Sequence, residues 1–138
     1  MNEKKTFILG VGAQKSGTTW LYEYIQSSPK ANFGQLKEYQ FWNMVFNKNN
    51  KKRYELLKKS QMEFSSDELL RWLMITHKYF YETYFNSIIN NDGQYKITGD
   101  ITPQYALLAA TNFRYIKNKL ETFGFNVKAI YLIRDPVE

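Results

Sequence analysis

Residues Gly12–Trp20 read GAQKSGTTW, between the apolar run FILGV (7–11) and LYEYI (21–25). A short apolar run, a glycine-rich turn and a helix-spaced stretch, in that order, open an α/β unit. The stretch nearly spells the nucleotide-binding pattern G-x-x-x-x-G-K-[ST]. Gly12 and Gly17 have its spacing, and Thr19 stands at the Ser/Thr position. The lysine is displaced: Thr18 occupies its slot, and the lysine of the loop is Lys15, inside the bend. A glycine turn between a strand and a helix aims backbone N–H groups at one point, and the helix N-terminus adds partial positive charge there. Such a corner holds phosphate. With its charge in the bend, the loop suits a ligand shorter than a triphosphate: a nucleotide with one 5′-phosphate and a different group attached to it.

Outward from this loop, Thr6–Val11 reads as a buried parallel strand. Residues 18–27 read as a helix with Trp20, Leu21, Tyr24 and Ile25 on one stripe, ended by Pro29. A short strand is expected at Ala31–Phe33 and a charged surface helix at 51–63. Ser65 and Glu68 have capping-box spacing at the start of an aromatic-rich helix over about 67–89. Asn90-Asn91-Asp92-Gly93 is a turn. A strand at Tyr95–Thr98, a helix over 104–122 and a buried strand at Val127–Ile133 complete the pattern. Strands alternating with helices predict an α/β class with a parallel sheet.

The chain has 138 residues, the length of one domain, expected to span 1–138. Its hydrophobic fraction of 43% and aromatic fraction of 17% suit a packed core. It contains no cysteine, which excludes disulfides and thiolate metal sites. Neither a membrane span nor a signal peptide is read from the sequence, so a cytoplasmic location is expected. The 19 Lys+Arg against 13 Asp+Glu give a net charge of +6, a field that favours anionic ligands or belongs to a solvated lysine-rich surface.

The loop with its flanks, FILGVGAQKSGTTWL (7–21), resembles the 5′-phosphosulfate loop of sulfotransferases that use 3′-phosphoadenosine 5′-phosphosulfate (PAPS). Three further stretches match in order. LKEYQFW (36–42) is similar to a K-E-x-H-F-F segment of the carbohydrate-type and bacterial branches. GDITPQY (99–105) resembles their G-E-x-[ST]-P-x-Y segment. KAIYLIRDPVE (128–138) resembles the strand that opens the 3′-phosphate site. The resemblance implies a P-loop-like parallel sheet flanked by helices and incomplete at the C-terminus. It implies sulfuryl transfer from PAPS, with PAP as the nucleotide product, to a hydroxyl of a small-molecule or carbohydrate acceptor. Neither a metal nor nucleic acid is expected to take part.

On the same resemblance, Lys15 contacts the oxygen that bridges phosphate and sulfate, and Gln14, Ser16, Gly17, Thr18 and Thr19 help to cradle the 5′-phosphate. Glu38 is the expected general base, and Lys37 binds the sulfuryl oxygens or orients Glu38. Arg134 is the candidate for the 3′-phosphate. Asp100 orients groups near the donor and is counted, with Gln40 and Tyr105, on the acceptor side; a core position for Tyr105 stands equally open. Trp20 is read as core and His77 as structural or surface. The chain departs from the family pattern at Gln40, where a histidine is frequent, at Asn43, where an acidic residue is frequent, and at Ile101, where some carbohydrate enzymes carry lysine. The serine expected to share the 3′-phosphate falls beyond Glu138. The chain is therefore read as the N-terminal portion of such a domain, expected to self-associate or to need a C-terminal half, and to lack appreciable transfer activity alone. Two other readings stay open: a P-loop kinase or NTPase with Asp135 at a magnesium site, against which Thr18 counts, and a non-catalytic domain that binds anions or nucleic acid.

Overall fold

The computed structural model describes residues 5–13, 15, 17–47, 49, 52, 55, 64–90, 93–133 and 135. Three strands form one parallel sheet: β1 (Lys5–Gly12), β2 (Ile97–Ile101) and β3 (Phe125–Tyr131), in the order β2-β1-β3. The central strand pairs Ile8 with Gly99 on one side and with Lys128 on the other. The class is α/β, as expected. Among the described residues no helix is long and apolar enough to cross a membrane.

Alternation along β1 divides the core in two, because successive side chains of a strand point to opposite faces. Phe7, Leu9 and Val11 join the larger cluster, with α2 (Phe41–Phe46), α3 (Ser66–Thr76), α4 (Phe80–Asn90) and α5 (Ala110–Thr122). Ile8 faces the other way, onto Leu21 of α1 (Thr18–Gln26), Phe33 and Ile101. Aromatic rings make up half of the buried side chains of the larger cluster. Phe7 meets Phe85 at 5.0 Å and Phe125 at 5.5 Å, both edge-on, and Phe41 stacks on Tyr81 at 4.3 Å. Edge-to-face contacts of this kind add to the stabilisation from burial alone.

The elements differ from the sequence reading in instructive places. Ala31–Phe33 forms no strand: Ala31 makes one isolated parallel bridge to Ile97. β2 starts at Ile97 rather than Tyr95 and runs on to Ile101. β3 starts two residues early, because Phe125 is buried and pairs with Lys5, and it is not the buried strand expected at Val127–Ile133: it lies at the edge of the sheet and Phe125 is its one buried residue. The long helix expected over 67–89 is two helices of 11 residues, with a break at His77–Tyr79, where Tyr79 has φ 66. One straight helix of that span would run roughly 35 Å, well past an eight-residue strand of about 26 Å. The break lets Leu70 and Met74 of α3 and Phe85 and Ile89 of α4 enter the same core. The helix expected over 104–122 is a 3₁₀ turn, Pro103–Leu107, followed by α5. Ser65 caps α3, its hydroxyl accepting from the Glu68 N–H at 3.2 Å. The helix expected at 51–63 lies almost wholly outside the described residues.

Candidate functional site

β1 delivers the glycine loop to the carboxyl edge of the sheet, where ligands of open α/β folds collect. Lys15 sits in the bend with φ 56, and Gly17 caps α1 with φ 98, a left-handed conformation that suits glycine. Glycine has no side chain to satisfy the first N–H groups of α1, and the first backbone bond of that end runs from the Leu21 N–H to the Gly17 carbonyl at 3.0 Å. The opening turn of α1 therefore offers donors and the positive end of its dipole.

The KEYQFW segment crosses beside this turn. Lys37 Nζ donates to Thr19 Oγ1 at 2.6 Å and stands 3.6 Å from Glu38 Oε1. Lys37 thus brings a positive charge to the start of α1, where the sequence pattern lacks its own lysine at position 18. As a partly exposed ion pair between neighbours in sequence, Lys37 and Glu38 add little to stability. One cleft of about 360 Å³ gathers these groups: Lys15, Gly17, Thr18, Thr19, Lys37, Glu38, Pro103 and Gln104. Five of the expected donor-site and catalytic positions, and Glu38 as a sixth, therefore share one space. Gln14, Ser16 and Arg134 lie outside the described residues.

A buried carboxylate holds the segment in place. Asp100, fully buried at the end of β2, accepts from the Tyr39 N–H at 3.2 Å and the Thr102 hydroxyl at 2.6 Å on one oxygen. Its other oxygen accepts from the Tyr81 hydroxyl at 2.8 Å and the Tyr105 hydroxyl at 2.6 Å. Tyr105 passes the chain on, its hydroxyl oxygen accepting from the Phe41 N–H at 2.9 Å and the Trp42 N–H at 3.3 Å. Burial raises the Asp100 carboxyl above the usual aspartate range, and the four donated bonds pull it the other way. Burial also raises the phenols of Tyr39, Tyr81 and Tyr105, which keeps them as donors. From the other side, Arg71 of α3 donates to the Glu38 carbonyl at 2.9 Å. The backbone is thus held at residues 38, 39, 41 and 42 while the Glu38 side chain, about a third exposed, faces the cleft.

Three expected acceptor-side residues fall elsewhere. Asp100 and Tyr105 are fully buried, with their polar atoms spent on one another and on the 39–42 backbone, so they position the segment and do not reach a ligand. Gln40 takes a left-handed conformation, φ 55, donates its N–H to Thr102 Oγ1 at 3.2 Å, and is not part of the cleft wall described above. Trp20, read as core, is 62% exposed and stacks on Tyr24 at 5.3 Å. On α1 the buried stripe runs through Leu21, with Ile25 packed beside it; Trp20 and Tyr24 form the adjacent stripe, in solvent. His77 is exposed, as expected.

Sequence reasoning missed Arg71, Tyr81 and Gln104. Each acts across a long loop or between helices, with no local pattern to mark it, although Gln104 lies inside the GDITPQY stretch. Comparison of the chain with models of known families, with curated protein sequences and with solved structures finds no match.

Proposed function

We propose that this chain is a PAPS-dependent sulfotransferase domain with a P-loop-like fold. The observation that carries the proposal is that Lys15, the first turn of α1 and the Lys37–Glu38 pair line one cleft, with Lys37 bonded to Thr19 at 2.6 Å. An anion end and a carboxylate base are the two things sulfuryl transfer needs side by side. The 5′-phosphate sits on the N–H groups and hydroxyls of Gly17–Thr19. Lys15 neutralises charge that develops on the departing phosphate, and Lys37 does the same for the sulfuryl oxygens. Glu38 takes the proton of the acceptor hydroxyl as its oxygen bonds to sulfur. The sulfur–oxygen bond to the 5′-phosphate breaks, and its electron pair stays on the phosphate oxygen. Exposed Trp20, next in sequence to Thr19, offers an aromatic face for a purine.

Calorimetry with PAP in a chelator, set against ATP with Mg²⁺, tests the assignment. Metal-independent binding of PAP that ATP does not match is the expected result. Binding of ATP that requires Mg²⁺, or equal binding of any polyanion with a steep salt dependence, would overturn it.

A further inference from the structure

The face of the sheet opposite α1 is covered by α5, and the cover is incomplete. Ile116 and Leu120 of α5 are fully buried in the larger cluster, but beside residues 113–118 the helix and the sheet part around a groove of about 460 Å³. Its floor is Leu9 and Val11 of β1, 2% and 9% exposed, with Val127 and Ala129 of β3 beside them; Leu9 pairs with Ala129 in the sheet. None of its described lining residues belongs to the cleft of Lys15 and Glu38. We propose that this groove is a separate ligand site and that it takes an alkyl chain ending in a carboxylate, a medium-chain fatty acid.

Both halves of that ligand have a counterpart on the wall. The floor is apolar and belongs to the core, so a hydrocarbon chain laid on it leaves water for contact with Leu9, Val11 and the Phe113 ring. Ala129 makes the room: Phe125, Val127 and Tyr131, which alternate with it on the same face of β3, are all larger. Arg114 and Lys117 of α5 line the same groove, and both are exposed. Long cationic side chains lay their stems along apolar surface and keep their charged ends in water. They extend the apolar wall and set a guanidinium and an ammonium at the mouth. A guanidinium grips a carboxylate through two parallel N–H···O bonds. Lys117 stands 3.7 Å from Glu121, an exposed pair one turn apart that is worth little and leaves the ammonium donors to spare. The volume lies within the roughly 300–1,000 Å³ of small-molecule sites, where an apolar lining is joined by a few polar groups that fix orientation. A polyanion has no use for the floor, and a neutral hydrocarbon has none for the two cations. A fatty carboxylate uses both.

The test is calorimetric titration of the whole chain with decanoate below its micelle concentration, beside decanol and decyltrimethylammonium, with sedimentation velocity on the same samples. Decanoate is expected to saturate at one per chain and to bind roughly tenfold more tightly than decanol, the difference that a charge-assisted bond makes. The alkylammonium is expected not to bind. Arg114→Gln combined with Lys117→Gln should bring decanoate down to the level of decanol. Ala129→Phe, at an exposed position, fills the groove and should abolish binding of both. If Ala129→Phe does not fold, the charge variant decides alone. No saturable binding of decanoate, equal binding of decanol, or indifference to both variants would overturn the site. A dimer that Ala129→Phe dissociates and decanoate does not would overturn it as well, and assign the groove to a second copy of the chain.

Discussion

Two side chains divide the proposed chemistry between them, and their substitutions separate binding from transfer. Lys15 carries the charge of the bend. In a complete enzyme, Lys15→Met should lower sulfuryl transfer by about 3 kcal/mol or more, the usual loss when one group that stabilises developing charge is removed. Turnover measured with labelled PAPS checks this, and an unchanged rate would mean that the loop has another purpose. Glu38→Gln keeps size and hydrogen bonding but removes the proton acceptor. It should leave PAP affinity intact and cut turnover by about 10²–10⁴-fold. A parallel fall in PAP affinity would instead make Glu38 part of the donor site. The loop pattern, with its displaced lysine, made Lys15 legible at this scale. Trp20 was not legible: helical spacing places it beside Leu21, and only the position of the sheet decides which of two neighbouring stripes is buried.

At the scale of elements, β1 and β2 approach so closely that one methyl group matters. A Cβ on Gly99 would stand 2.2 Å from the Ile8 carbonyl oxygen and 2.8 Å from the Phe33 ring. The first neighbour is backbone of the central strand and cannot rotate away. Gly99→Ala should therefore cost about 3 kcal/mol, the upper part of the range for overpacking, and shift the denaturant midpoint without changing the slope. A midpoint equal to the parent's would show that β2 can slide. The same pairing explains the strand boundaries. β2 extends to Ile101 because Gly10 pairs with it, and Ala31 adds a single bridge: the Asn32 N–H still reaches the Ile97 carbonyl at 2.9 Å, but the Phe33 N–H turns to the Gln26 side chain of α1 at 3.1 Å. The division of the long helix is likewise set by the length of sheet available to cover. Local helix signals in 67–89 run straight through the break.

For the whole molecule, the decisive group is Asp100, which joins β2, the 39–42 backbone, α4 and the 3₁₀ turn through four accepted bonds. Asp100→Asn places an NH₂ group against hydroxyls that now donate, and should cost roughly 2–3 kcal/mol near pH 4, the penalty for a buried donor left without an acceptor. The pH dependence follows from the raised carboxyl. With the folded value above the unfolded one of about 3.9, the folded chain binds more protons between the two. The carboxyl's contribution is full below the unfolded value and is lost as pH rises through the folded one. The deficit of the Asn variant should accordingly be largest at low pH and shrink on moving upward, as read from Tm across a pH series. A deficit that grows with pH would mean that the four bonds outweigh burial. The sequence by itself determined the α/β class, the glycine corner and the cap at Ser65, because each is written in neighbouring residues through spacing, φ preference or apolar period, whereas Lys37 and Glu38 were marked only by the resemblance that KEYQFW carries. Only the tertiary structure decided that Asp100 and Tyr105 are internal scaffolding, that Lys37 reaches Thr19, and that Gln104 lines the cleft with Glu38. Those contacts unite residues far apart in the chain, and a burial or a hydrogen bond of that kind exists only once the sheet and its helices have brought the partners together.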